Sequence, residues 1–315
     1  MNGLELSESY FEEFGKPMLE RDFPDLLPHL AAGLCGSGSE CFGFDDEVSR
    51  DHDFEPGFLI FLPGEDTVSR KEAFLLERAY AKLPREYMGI RRNALSPVGG
   101  ARRGVIRLTD FFLEKTGRSD GLPEGTEWLS LPGQSLAEAV NGRIYFDNEG
   151  TLTRVRREIA FYPEDIFRKK LAGDLLIMAQ SGQYNFLRCL KHGETAAAQL
   201  AVNEFVQHTI SAIFLLNQAY RPYYKWCFRA LRALPILSLE AELLEYLLTG
   251  GNDPDNAEEK YKVIEDIAAD VIDVLMERDL TQANCGDLEK HAYSVNDSIE
   301  DSSLRNLHIL AGIPF

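Results

Sequence analysis

A chain of 315 residues, 44% hydrophobic and 10% aromatic, is long enough to bury a sizeable core and to divide into two domains of ordinary size. Its 51 acidic residues outnumber 33 basic ones, and the net charge of −18 disfavours a long nucleic acid as partner, because binding to a phosphate backbone is carried by Lys and Arg. The five cysteines Cys35, Cys41, Cys189, Cys227 and Cys285 are odd in number and lack a Cys-x-x-Cys pair, which argues against a disulfide framework or zinc site and for small buried packing.

In chain order, the opening Met-Asn-Gly-Leu-Glu-Leu-Ser-Glu has neither a basic n-region nor an apolar core, so no secretion signal is read there. No apolar run approaches the length of a bilayer, and the expectation is a cytoplasmic protein without a membrane partner. Tyr10, Phe11 and Phe14, then Leu26, Leu27 and Leu30, recur at helical spacing and predict helices over 7–14 and 16–34, with Pro17, Pro24 and Pro28 against a single rod.

Next comes the glycine-rich segment Cys35-Gly36-Ser37-Gly38-Ser39-Glu40-Cys41-Phe42-Gly43, then Ser49-Arg50-Asp51-His52-Asp53, then the apolar run Phe58 to Leu62. A Gly-Ser pair opening a short helix presents unpaired backbone N–H groups and a hydroxyl to a phosphate, and glycine removes the Cβ that would block close approach. Two carboxylates at i and i+2 on a strand share one face, where Asp51 and Asp53 would hold a hard divalent ion such as Mg²⁺; His52 points the other way. Acidic loops are common on so acidic a chain, and Asp45, Asp46 and Glu47 read as solvated loop or as ligands of a second cation or cationic acceptor.

Farther on, Ser69 caps a helix to about Lys82 ended by Pro84, and Gly104 to Phe112 reads as a partly buried strand. Asp110 has two readings, a helix N-cap and a third carboxylate beside the metal. Asp147, in Gly142 to Gly150, fits a hairpin turn better than a catalytic role. From Tyr162 the composition turns helical, with amphipathic segments over 165–181, 184–192, 194–217, 223–234, 237–248 and 257–277 and an apolar C-terminus that docks. Within this half, Arg221 and Lys225 lie in the aromatic string Tyr220 to Trp226 and could neutralise a triphosphate, with packing the competing role. Lys169, Lys170 and Arg188 read as solvated. The scattered histidines lack metal-ligand spacing.

Gly38-Ser39, Gly43, Ser49 and Asp51-His52-Asp53 together resemble the nucleotidyltransferase superfamily of the DNA polymerase β and kanamycin nucleotidyltransferase type, with one extra residue, Arg50, between the serine and the first aspartate. The string from Gly38 to Phe54, together with Asn141-Gly142-Arg143, Tyr162-Pro163-Glu164-Asp165 and Leu216 to Trp226, is similar to the bacterial DUF4037 family. The resemblance implies an α+β fold. A nucleotidyltransferase domain over 1–160, with a small mixed sheet flanked by helices, would precede a helical bundle over 161–315 that closes on substrate or nucleotide. It further implies Mg²⁺-dependent transfer of a nucleoside monophosphate, AMP from ATP, to a hydroxyl of a small molecule or protein. Gly38, Ser39, Arg221 and Lys225 would bind nucleotide, Asp51 and Asp53 the metal, and Asp51, Asp53 and Asp110 would be catalytic. The alternative is a nucleotide-binding regulatory protein on the same fold with catalysis lost.

Overall fold

The computed structural model describes residues 1–47, 54–92 and 103–313, an α+β structure that divides into two compact units. Unit 1 comprises Met1–Pro123 and Leu131–Ala160, and unit 2 comprises Glu124–Ser130 and Phe161–Phe315.

Unit 1 begins with α1 (Gly3–Tyr10), whose Asn2 side chain accepts from the Glu5 N–H while Glu5 reaches back to the Asn2 N–H, a reciprocal cap that starts the helix before the expected position. The helix runs through a π-helical stretch (Phe11–Gly15) into α2 (Lys16–Asp22). The expected helix to Leu34 stops there. Pro24 and Pro28 disrupt helical pairing, a short 3₁₀ turn fills Leu27–His29, and the small residues that follow form β1 (Ala31–Leu34). β2 (Leu59–Leu62), α3 (Arg70–Ala81), the two-residue strands β3 (Glu86–Tyr87) and β4 (Ile90–Arg91), and β5 (Gly104–Arg107) come next. The unit is completed by α4 (Leu108–Thr116), then α6 (Gly133–Val140), β6 (Arg143–Asp147) and α7 (Thr151–Glu158), with α5 (Glu127–Ser130) belonging to unit 2.

Four strands form a mixed sheet in the order β5-β2-β1-β6, with β1 antiparallel to both its neighbours and β2 parallel to β5. β1 and β2 are buried along their whole length, which is why they read as continuous apolar runs instead of alternating ones. Gly33 sits at a bulge against β6, where an added Cβ would lie 2.5 Å from the Arg143 carbonyl oxygen, so the backbones approach there as only glycine allows. Tyr10, Phe11, Phe58 and Tyr80 pack edge-on or tilted beneath the sheet, and the Tyr80 hydroxyl bonds both the N–H and the carbonyl of Phe58.

Unit 2 is helical: α8 (Glu164–Met178), a π-helix (Ala179–Phe186), α9 (Leu187–Lys191), α10 (Thr195–Leu216), α11 (Tyr224–Leu231), α12 (Glu240–Thr249), α13 (Pro254–Glu277), α14 (Leu288–Asp297) and α15 (Ser302–Arg305). α8 packs against α10 and α14. Lys169 and Lys170, expected in solvent, are buried. Lys169 Nζ donates to Asn296 Oδ1 (2.9 Å) and the Leu307 carbonyl (2.8 Å), and Lys170 Nζ to the carbonyls of Leu129 and Gly312. Burial lowers both ammonium pKa values, and carbonyl dipoles replace the lost water. Among the described residues no helix is long and apolar enough to cross a membrane.

Candidate functional site

The register puts the C-terminal end of β1 and the N-terminal ends of β2, β5 and β6 on one edge of the sheet, since Gly33 pairs with Leu59, Leu59 with Gly104, and Leu34 with Arg143. At that edge the chain leaves β1 through Cys35-Gly36-Ser37-Gly38-Ser39 and turns once through a 3₁₀ helix, Glu40–Phe42. Gly36 and Gly38 have φ of 108° and 124°, and Gly43 ends the turn at φ 69°, so each glycine stands where the left-handed region is required. Ser39 occupies the position before the helix without bonding it through its side chain. Among the described residues its hydroxyl and the N–H groups of Gly38 and Ser39 have no hydrogen-bond partner. Unspent backbone donors and a hydroxyl of this kind are groups able to receive anionic oxygen.

Three side chains hold this loop. Asn141 Nδ2 donates to the Gly36 carbonyl and Asn141 Oδ1 accepts the Gly36 N–H, both at 2.8 Å, so the amide closes on the loop backbone as a partner strand would. Gly142, at φ 72°, donates its N–H to the Cys41 carbonyl, and a Cβ at this position would sit 2.0 Å from the Leu34 carbonyl oxygen. Glu40, 3% exposed, receives Arg103 Nη2 at 2.8 Å, which ties the turn to the start of β5. Burial works against the Arg103 charge, but attraction to Glu40, with smaller help from other neighbours, outweighs it and the guanidinium pKa stands above its ordinary value.

Arg156 of α7 lies over the same loop. Its Nη2 donates to the carbonyls of Val140 (2.7 Å) and Asn141 (2.6 Å), it bonds the Cys35 thiol, and its buried Nη1 has no acceptor among the described residues. Burial pushes the Cys35 thiol up to about 11, so it stays protonated at neutral pH. Asp45, half-buried, accepts the Gly3 N–H through Oδ2, while its buried Oδ1 has no partner among the described residues. Arg103 and Arg156 have no local sequence signal, because the groups they bind, Glu40 for one and the Val140 and Asn141 carbonyls for the other, come beside them only on folding. Asn141-Gly142-Arg143 was visible as a string, but its action on Gly36 was not.

Asp51 and Asp53, with Ser49, Arg50 and His52, lie outside the described residues. Asp110 is not brought to Gly38 and Ser39. It is exposed in the first turn of α4, beyond the C-terminal end of β5, where Arg107 pairs with Leu62 at the opposite edge of the sheet. Nor is it an N-cap, since the cap position is Arg107 and Asp110 is the third helical residue, where a carboxylate complements the helix dipole. Asp147 pairs with Ala31 at that same far edge, and its Oδ2 accepts the Thr153 N–H; the chain turns through Gly150 into α7 instead of forming a hairpin. Among the described residues no group of three His, Cys, Asp or Glu side chains could hold a metal ion.

In unit 2, Arg221 is engaged locally: Nη1 donates to the Gln207 carbonyl, Nη2 to the Gln207 side chain, and Nε to Cys227 Sγ. Lys225 is exposed, its ammonium 5.0 Å from the centre of the Trp226 ring. His208 Nδ1 (2.7 Å) and Ser211 Oγ (2.6 Å) both meet the buried Asp174 carboxylate, and buried His291 bonds Thr281 and the Cys285 carbonyl. These are satisfied core groups. Cys285 itself is exposed, against the expectation of buried packing, while Cys35, Cys41 and Cys227 are buried.

Residues 128–227 match the family model described as Domain of unknown function (DUF4037), a span under half of the chain that includes Asn141-Gly142-Arg143 and Tyr220 to Cys227. No curated protein and no solved structure matches the chain.

Proposed function

We propose that unit 1 binds the triphosphate of a nucleotide at Gly38-Ser39 and transfers a nucleoside monophosphate, AMP from ATP, to a hydroxyl acceptor. The observation that carries this reading is the loop after β1: donors without partners at Gly38 and Ser39, fixed from beneath by Asn141 and Gly142, at the sheet edge where the chain also enters β2. Asp51 and Asp53 precede β2 in sequence and are the residues that would hold Mg²⁺. The buried, unpartnered Oδ1 of Asp45 fits the same cation-seeking chemistry. Mg²⁺ in such a site supplies alignment of the triphosphate and neutralisation of its charge. On this chain's side, Ser39 and the loop N–H groups hold phosphate oxygens, and the free Nη1 of Arg156 adds positive charge behind the loop. The acidic surface suits a neutral or cationic acceptor better than a polyanion.

A second reading, a nucleotide-binding regulatory protein without transfer, is favoured by one observation: Asp110 stands at the far edge of the sheet, so the expected third carboxylate is not at the loop. Incubation of the full chain with Mg²⁺, α-labelled ATP and a panel of hydroxyl acceptors separates the two. Transfer with pyrophosphate release, abolished by Asp51→Ala and Asp53→Ala and unaffected by Asp110→Asn, supports the enzyme. Mg²⁺-dependent ATP binding with no release under any condition supports the regulator. Absence of ATP binding, or binding indifferent to Gly38→Val and Ser39→Ala, refutes both.

A further inference from the structure

Glu40 and Arg103, 3% and 5% exposed, are a buried ion pair set against the loop after β1. The carboxylate lies on Gly38, where an added Cβ would stand 2.6 Å from both Glu40 oxygens. Its stem packs on the first residue of α1, since a Cβ on Gly3 would meet Glu40 Cβ at 2.4 Å. From Glu40 the Arg103 side chain runs back across Gly57, where an added Cβ would approach its Cδ and Cγ at 3.1 and 3.2 Å. Gly57 leads into β2 and accepts Ser7 Oγ on its carbonyl at 2.6 Å, and the Phe58 carbonyl accepts the Gly104 N–H at 2.9 Å. One side chain thus reaches from the loop to the entries of β2 and β5.

A buried ion pair contributes little net stability compared with apolar residues of the same shape, so packing alone would be served as well by an apolar pair. What a carboxylate against Gly38 changes is the charge met by an anion on the loop's donors. Alone it would repel a phosphate, and with so little water around it the repulsion would be poorly screened. Arg103 cancels that charge where it arises. Its stem also sets the loop backbone relative to the start of β2, the strand that Asp51 and Asp53 precede in sequence.

We propose that Arg103 is a positioning residue for the phosphate loop: it neutralises Glu40 against Gly38 and holds the loop in place beside the entry to β2, so that a triphosphate meets hydrogen-bond donors and no like charge. This role rests on triphosphate binding at Gly38-Ser39.

Titration calorimetry of the full chain with ATP and Mg²⁺ tests it, beside melting curves of each variant. Charge gives the two halves of the pair effects of opposite sign, which bracing of the fold does not. Arg103→Gln leaves Glu40 uncompensated and should weaken ATP binding about tenfold or more. Glu40→Gln leaves Arg103 uncompensated and should bind ATP as tightly as the parent or severalfold tighter, although both variants melt lower. Arg103→Lys keeps the charge and Glu40→Leu/Arg103→Met removes both charges, so each should bring affinity back to within about threefold of the parent. These two decide where a single variant does not fold, and a tenfold loss in either overturns the proposal. Affinity falling in step with melting temperature across all the variants also overturns it, because Arg103 is then a brace of the fold alone. A parent that binds no ATP, or binds it indifferently to Gly38→Val and Ser39→Ala, refutes the nucleotide reading and this role with it. Binding that depends on Gly38 and Ser39 but moves the wrong way at Glu40 and Arg103 refutes the positioning role only.

Discussion

Glu240, the first residue of α12, is 5% exposed and faces Asp270 and Asp266 of α13. Burial, then repulsion from Asp270, a hydrogen bond to Asp270 and repulsion from Asp266 push its carboxyl from 4.5 up to about 7, and its Oε2 has no hydrogen-bond partner among the described residues. In the folded chain the group holds its proton to about pH 7, and unfolded it releases it near 4.5. The folded state therefore binds more protons between those values, and stability falls as pH climbs through that window and remains reduced above it. At 1.36 kcal/mol per pH unit the ceiling on this penalty is about 3 kcal/mol. Asp266 and Asp270 are exposed, so solvent screening brings the expected figure to about 1–2 kcal/mol. Glu240→Gln removes the charge, keeps the shape and can donate to Asp270. It should stabilise the protein by that amount at pH 8, raising the melting temperature by about 3–6 °C for a unit of this size, with the gain vanishing near pH 4.5. Paired urea denaturation curves at pH 5 and pH 8 measure it. A Gln variant less stable than the parent at pH 8, or a difference equal at both pH values, refutes the account.

Four further outcomes are expected. Asn141→Ala leaves the Gly36 N–H and carbonyl without their partners, so chemical denaturation should show a loss of about 1–3 kcal/mol, with weaker ATP binding as the loop loosens. Gly142→Ala forces a Cβ against the Leu34 carbonyl at positive φ and should cost more than about 2 kcal/mol; a near-neutral result in the same assay would mean that β1 and β6 can separate at that corner. Glu40→Gln breaks a buried ion pair and should destabilise by about 3–5 kcal/mol, whereas Glu40→Leu combined with Arg103→Met should cost less, and a double variant worse than the single would contradict the pairing argument. Under mild alkylation at neutral pH, followed by mass spectrometry, Cys285 should label first and Cys35 last, because Cys35 is both buried and raised to about 11.

How much of this was legible in the chain follows from the range of each interaction. The helix beginning after Ser69 was legible because its cap, its apolar face and Pro84 all lie within a few turns of one another, and α3 has the expected cap. The run Phe58 to Leu62 announced β2 by composition alone. Gly36, Gly38 and Gly43 read from sequence only as places where a missing Cβ permits close approach; the structure adds that all three stand at positive φ. β1 departs from the helix that the spacing predicts because its residues are small and apolar: Ala31-Ala32-Gly33-Leu34 becomes a strand only between β2 and β6, a contact made across more than a hundred residues on one side.

The sequence by itself determined the acidic character of the chain and the place of the glycine-rich loop around Gly38-Ser39, since these depend on residue type and near spacing. Tertiary structure alone decided which groups meet that loop. Pairing register carried Asn141, Gly142 and Arg103 to its edge and Asp110 and Asp147 to the other, and strand direction has no signature in a short window of sequence. It also decided that Lys169 and Lys170 are buried, because the carbonyls that receive them belong to Leu129, Leu307 and Gly312, remote in the chain and adjacent only after folding.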